Sequence, residues 1–284
     1  MVPTVSIILK KYIMKSKIYS IIAVLIIAVA FVSCKSTGTK DNKVPIIEPS
    51  SIDSKKIKND IVEMIMALPE NSETVKLINE TGAAYIAGLT HDNLNVGNIL
   101  TRAASAKAYG VVLFDMAYAN TYNQANTFSK LLDVNEALVK KLGFQGLMNI
   151  QKDYQDRYKA SKDVRDSVDQ IVTELLASTN EYIQENGSAT DISLVFAGAT
   201  TKSLFVTSNV TIFAMNNIKL VDLMKNQQER LESAIKILEL SGDDQEVKKM
   251  ADALKPVLEV YTGSTTFDLD AIEKIKDLTS FVMK

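Results

Sequence analysis

The sequence predicts an all-α fold: an irregular bundle of about nine or ten helices around one nearly all-apolar central helix. Three observations carry this. Gly and Pro together are 16 of 284 residues, about half the roughly 12% of an average chain, so turns are few and elements long. From Asp53 onward, apolar residues recur at the 3.6-residue spacing of amphipathic helices through most of the chain. Strand-type alternation, a hairpin turn signal and a repeat period of 20 to 50 residues are all lacking.

The first elements are not part of that bundle. Met14-Lys15-Ser16-Lys17 is a basic start to the apolar run 18–32, which closes on Phe31-Val32-Ser33-Cys34 and turns polar at Lys35. A basic region, an apolar region too short to span a bilayer comfortably and a small residue at the end describe a secretory signal. This stretch resembles the lipobox of bacterial lipoproteins, with Phe31 where that family usually has Leu. The resemblance implies that residues 1–33 are removed as a signal peptide and that Cys34, the only cysteine, is lipidated. Residues 1–13 are unusual for such a signal, and translation is expected to start at Met14. Residues 34–52, with Pro45, Pro49 and several hydroxyl side chains, read as the lipidated cysteine and a tether.

The domain then spans 53–284, with a subdivision near 216 left open. Ile57, Ile61, Met64, Ile65 and Leu68 line one helix, stopped by Pro69. Helices are expected at 75–90, 96–122 and 124–142, the last ending where Gly143 takes a left-handed cap. Two more are expected at 144–159 and 162–186, ending at Gly187. Residues 191–216 are apolar nearly all round, yet Lys202 and many hydroxyls argue for a buried bundle helix rather than a membrane span. Ala197-Gly198-Ala199 would admit a close neighbour. The remaining helices are expected at 218–240, 245–254 and 268–282, with Pro256 starting a new turn or kinking its helix.

Composition excludes several chemistries. One cysteine and one histidine rule out an internal disulfide framework and the usual transition-metal constellations. There is no GxxxxGK[ST] loop and no GxGxxG after a strand. After signal removal, 28 basic residues face 34 acidic ones, a balance that makes the domain no candidate for electrostatic attraction to nucleic acid or to an anionic lipid surface. Thirty-four acids leave a carboxylate pair open without giving any pair priority. His91 stands alone and reads as a helix-terminus or surface residue.

The sharpest local feature is Asp115, set between Phe114 and Met116 in an apolar helix, with Tyr118 and Tyr122 on the same side. A buried carboxylate must be paired or hydrogen-bonded, and Lys202 is a plausible partner. Asp115, Tyr118, Tyr122 and Lys202 therefore read either as a pocket with an acid/base group or as a polar network that specifies helix packing. The packing reading is favoured. Gly110, in mid-helix, implies close packing against another helix. Tyrosines 85, 109, 118, 122, 154, 158, 182 and 261 form either an aromatic platform or, at helical spacing, a core edge. Asp166-Ser167-Val168 matches a short O-glycosylation sequon.

Several segments together resemble an uncharacterised family of exported, all-helical Bacteroidetes lipoproteins. The likeness lies in Lys107-Ala108-Tyr109-Gly110-Val111, Asp115-Met116-Ala117-Tyr118 and Lys141-Leu142-Gly143-Phe144. It continues in Arg165-Asp166-Ser167, Phe196-Ala197-Gly198 and Leu204-Phe205-Val206-Thr207, and covers about residues 75–215. It implies fold and location, and no activity. No acidic run follows Cys34, which favours an outer-membrane anchor facing the periplasm. The leading functional reading is a lipid-anchored cell-envelope protein acting as a non-catalytic binding or scaffolding module. The alternative is an envelope hydrolase using carboxylates in a helical cleft. No cofactor is implied. The partners are a membrane, through the N-terminal lipid, and an envelope protein or small ligand that the sequence does not name; nucleic acid is not among them.

Overall fold

The described residues form an all-helical fold, and the starts and stops of its helices follow local chemistry. The computed structural model describes residues 51–161, 164–214, 216–264 and 267–283. Cys34 and the residues before position 51 expected to form a signal and a tether lie outside the described residues. The order is α1 (Ser51–Met66), α2 (Asn71–Glu80), a 3-10 turn (Val96–Asn98), α3 (Arg102–Thr121), α4 (Ala125–Leu142), α5 (Gln145–Ser161) and α6 (Arg165–Asn186). There follow α7 (Ala189–Phe213), α8 (Ile218–Asn226), α9 (Gln228–Leu240), α10 (Gln245–Gly263), α11 (Leu269–Thr279) and a 3-10 turn (Ser280–Met283). No strand occurs among the described residues. No helix among them is long and apolar enough to cross a membrane.

Caps set the boundaries. Thr101 accepts from the Ala104 amide at 3.0 Å, Asp244 from Glu246 and Val247, and Asp268 from Ala271, each satisfying an orphan amide of a first turn. Ser188 and Asp191 form a reciprocal capping box at the start of α7. Gly143 ends α4 with φ +67°, the left-handed cap its position predicts.

At the centre, α3 packs on α7 with the two backbones in direct contact. A Cβ on Gly110 would lie 1.9 Å from the Val195 carbonyl oxygen, and one on Gly198 would lie 2.3 Å from that of Lys107. Only hydrogen fits there. Around this pair, α4 packs on α3, while α9 and α11 pack on α7. The main hydrophobic cluster runs from Ile61 to Ile275, so helices on both sides of residue 216 share it. A bidentate ion pair locks one end: Arg102 Nε and Nη2 donate to Asp191 Oδ1 and Oδ2 at 3.0 and 2.9 Å, and Nη1 donates to the Leu142 carbonyl. Burial pushes the Asp191 carboxyl up, but Arg102 and the Ser188 bonds outweigh it and hold it below the ordinary range.

Several expectations need correction. The helix α7 is buried on every side from Asp191 to Ser208, but it is not nearly all-apolar, since it also buries Ser193, Thr200, Thr201, Lys202, Ser203, Thr207 and Thr211. Most of these hydroxyls bond a carbonyl one turn back, as Thr201 does to Ala197, Thr207 to Ser203 and Ser208 to Leu204, which lets polar residues sit inside a core. The helix expected at 75–90 ends at Glu80, because Gly82 and Gly88 take φ of +79° and +82°, incompatible with a right-handed helix. Residues 81–101 are a long connection holding only the 3-10 turn, so α3 starts at Arg102 rather than 96. Finally, the helix expected at 218–240 breaks at Gln227, whose Oε1 accepts from Ser203 of α7 at 2.8 Å, while α10 continues through Pro256. There the burial of Val257, Val260 and Tyr261 on the core face offsets the one backbone bond that proline removes.

Candidate functional site

Two features stand out: a sealed ionic cluster and an open groove. The cluster forms where the 81–101 connection folds back across α3. Tyr118 accepts from the Ile86 amide at 3.0 Å, and Tyr122 donates to the Ala83 carbonyl at 2.9 Å. Tyr85 stacks on Tyr118 with ring centroids 5.0 Å apart. One turn earlier on α3, Asp115 Oδ2 accepts from the His91 amide at 2.8 Å and lies 2.8 Å from His91 Nδ1. His91 Nε2 lies 2.9 Å from the Val282 carbonyl oxygen. From α7, Lys202 Nζ reaches to 3.2 Å from Asp115 Oδ1. That contact pairs the charges but is off the hydrogen-bonding direction, leaving Oδ1 without a hydrogen bond. Lys202 also donates to the Leu89 carbonyl and lies 3.3 Å from His91 Nδ1 and 3.1 Å from Met283 Sδ.

The two ring nitrogens of His91 are thus both engaged, Nδ1 between the Asp115 carboxylate and the Lys202 amine and Nε2 against the Val282 carbonyl. Desolvation pushes the Lys202 ammonium down, against the pull of the Asp115 charge. Burial also pushes the Tyr118 phenol up, and that of Tyr122 up to about 12.

Asp115 and Lys202 are therefore brought together. Tyr118 and Tyr122 lie beside them but bond the connection's backbone rather than the carboxylate. His91 is neither a surface nor a helix-terminus residue, because its side chain is 10% exposed and makes the closest contact with Asp115. Its only sequence signal is a lone imidazole in a glycine-bearing stretch, since the fold-back that buries it is a tertiary event. The carboxylate, imidazole and amine resemble a proton-relay set, yet Asp115 and Lys202 are fully buried, and no reacting atom has room beside them. What the cluster does is tie the 81–101 connection, α3, α7 and the chain's C-terminal turn together. The tyrosines do not form an open platform: Tyr109, Tyr118 and Tyr261 are core residues, and Asp166-Ser167-Val168 lies within the start of α6.

The groove runs between α1 and α6 over a floor made by α3 and α7, and encloses about 600 Å³. Val62, Ile65, Leu113, Leu176, Val195, Phe196 and Ala199 supply apolar walls, with Glu70, Glu181 and Glu185 on the exposed rim. Arg230 of α9 also lines it. This residue is 8% exposed. Its guanidinium stacks on Phe196, 4.7 Å from the ring centre, and Nη1 donates to the Pro69 carbonyl. Its Nε has no hydrogen-bond partner, and no ion pair forms with any described carboxylate. Burial pushes the guanidinium down to about 10. Sequence reading missed this residue, although Arg230 shares a buried stripe with Leu231, Ala234, Ile237 and Leu238, where an apolar side chain is the norm.

No family model, curated protein or solved structure matches the chain. Among the described residues, no group of three or more His, Cys, Asp or Glu side chains is arranged to hold a metal ion.

Proposed function

We propose that the chain is a lipid-anchored protein of the bacterial cell envelope, held through Cys34 at the periplasmic face of the outer membrane, whose helical domain is a non-catalytic binding module. The anchor rests on the sequence pattern around Cys34. The binding role rests on one observation: an apolar groove of about 600 Å³ with a buried, carboxylate-free arginine in its wall. That volume lies within the range of small-molecule sites, about 300–1,000 Å³, and such sites combine apolar walls with a few placed polar groups, here Arg230 with Asn180 and Gln184. A hydrolase would need two acids converging on an open cleft. The carboxylates around this groove stand on its rim, and Asp115 is sealed elsewhere.

Two measurements test the reading. Metabolic labelling with an alkyne palmitate should mark the full-length chain and leave Cys34→Ala unmarked and out of the membrane fraction; label retained by the variant overturns the anchor. Native mass spectrometry of the full-length chain, released from lipid nanodiscs, should show a bound small molecule that is lost in Ala177→Trp, which fills the groove from an exposed position on α6. A bare chain, or adducts indifferent to that variant, overturns the binding role.

A further inference from the structure

Resting on that binding role, we infer that the groove takes a single-chain anionic amphiphile, with the acyl tail along the apolar floor and the anionic head on Arg230. A buried charge without a counter-ion is costly. Arg230 has only a neutral carbonyl and an aromatic face as partners, and its Nε is buried and unsatisfied. An arginine presents planar, paired donors that suit a carboxylate or phosphate. The missing element of the ion pair is the anion, and Arg230 is among the residues that line the groove.

The tail follows from the walls. Val62 and Ile65 of α1 face Leu176 of α6 across a floor of Leu113, Val195 and Ala199, side chains that offer a ligand chain no hydrogen bonds, while Asn180 and Gln184 line the rest of the α6 wall. The rim glutamates Glu70, Glu181 and Glu185 oppose an anion, but they are exposed and screened by water and salt. Arg230 is buried, where a charge contact is stronger. At the same rim, Lys58 of α1 donates to the Glu185 carbonyl at 2.6 Å, which fixes α1 against α6 at the groove's edge.

The chain contains no tryptophan, so Met66→Trp at the groove's exposed edge supplies a single reporter. In the full-length chain in nanodiscs, 9,10-dibromostearate should quench it at concentrations about 10- to 100-fold below those of the matching dibrominated alcohol, the loss expected when one charge-assisted hydrogen bond is removed. Arg230→Met, close in length, should erase that difference, and Arg230→Lys should restore part of it. A dibrominated lysophosphatidate separates the two head groups: tighter quenching by either anion supports the inference and names its source. Equal quenching by acid, phosphate and alcohol, or an acid preference that survives Arg230→Met, overturns the anionic head while leaving an apolar binding groove. Quenching by none of the three overturns the binding role itself.

Discussion

At the residue scale, the informative groups are charges where the core should have none. Asp115 was legible in the sequence because it interrupts an apolar helix, and Lys202 because it interrupts another; their pairing at 3.2 Å follows from the crossing of those helices. His91 and Arg230 were not legible in this way. His91 lies in a connection whose fold-back no local pattern encodes, and Arg230 sits in an ordinary amphipathic helix whose buried face is decided by its neighbours. The Asp115–Lys202 pair should behave as a unit. Asp115→Leu alone leaves a buried ammonium uncompensated and should cost about 3–5 kcal/mol, whereas Asp115→Leu with Lys202→Met should cost far less than the two single changes added together. Urea unfolding of the three variants measures this, and strict additivity would mean that the pair contributes nothing as a pair.

At the element scale, the controlling event is the backbone contact between α3 and α7. Its two halves were visible separately, in mid-helix Gly110 and in Ala197-Gly198-Ala199, but their meeting is a tertiary fact. Gly110→Ala places a methyl group 1.9 Å from a carbonyl oxygen, and Gly198→Ala places one at 2.3 Å. Neither obstacle is a flexible side chain, so each change should cost about 3 kcal/mol or more. Gly263→Ala at the end of α10 meets nothing within 4 Å and should be neutral or stabilising by up to about 1 kcal/mol. Thermal unfolding of the three variants gives the ranking; similar losses at all three would remove the steric account. The same scale explains which helix ends were readable. Pro69 and Gly143 act on their own turns and were foreseen. The break at Gln227 depends on Ser203 of another helix, and the passage through Pro256 depends on burial beyond it.

At the scale of the whole molecule, stability should be bounded on the alkaline side by buried tyrosines. Burial raises the phenols of Tyr109, Tyr118, Tyr122 and Tyr261, that of Tyr122 to about 12. The folded state then keeps protons that the unfolded state loses near pH 10, so this stability is whole below pH 10 and is lost as pH rises beyond it. Lys202 and Arg230 act in the opposite sense, because their lowered values make the folded state less costly as pH climbs toward 10.5 and 12.5; these two cations offset the tyrosines only in part. Denaturant midpoints should fall from pH 10 to 11.5, with phenolate absorbance from these rings appearing together with unfolding. Phenolate forming near pH 10 in a chain that stays folded would contradict this.

What the sequence by itself determined is local. The helical class, most caps and the unusual place of Asp115 follow from spacing and residue type within one or two turns, because helix hydrogen bonds and capping join neighbours in the chain. The expectation at Cys34 likewise rests on sequence alone. Only the tertiary structure decided that His91 closes on Asp115, that Gly110 meets Val195, and that Arg230 is buried without a carboxylate at the wall of a groove. Those contacts join residues from 24 to more than 100 positions apart, as Lys202 and Leu89 are. Burial and pairing over such separations depend on which helix faces meet, and a one-dimensional pattern holds no record of that choice.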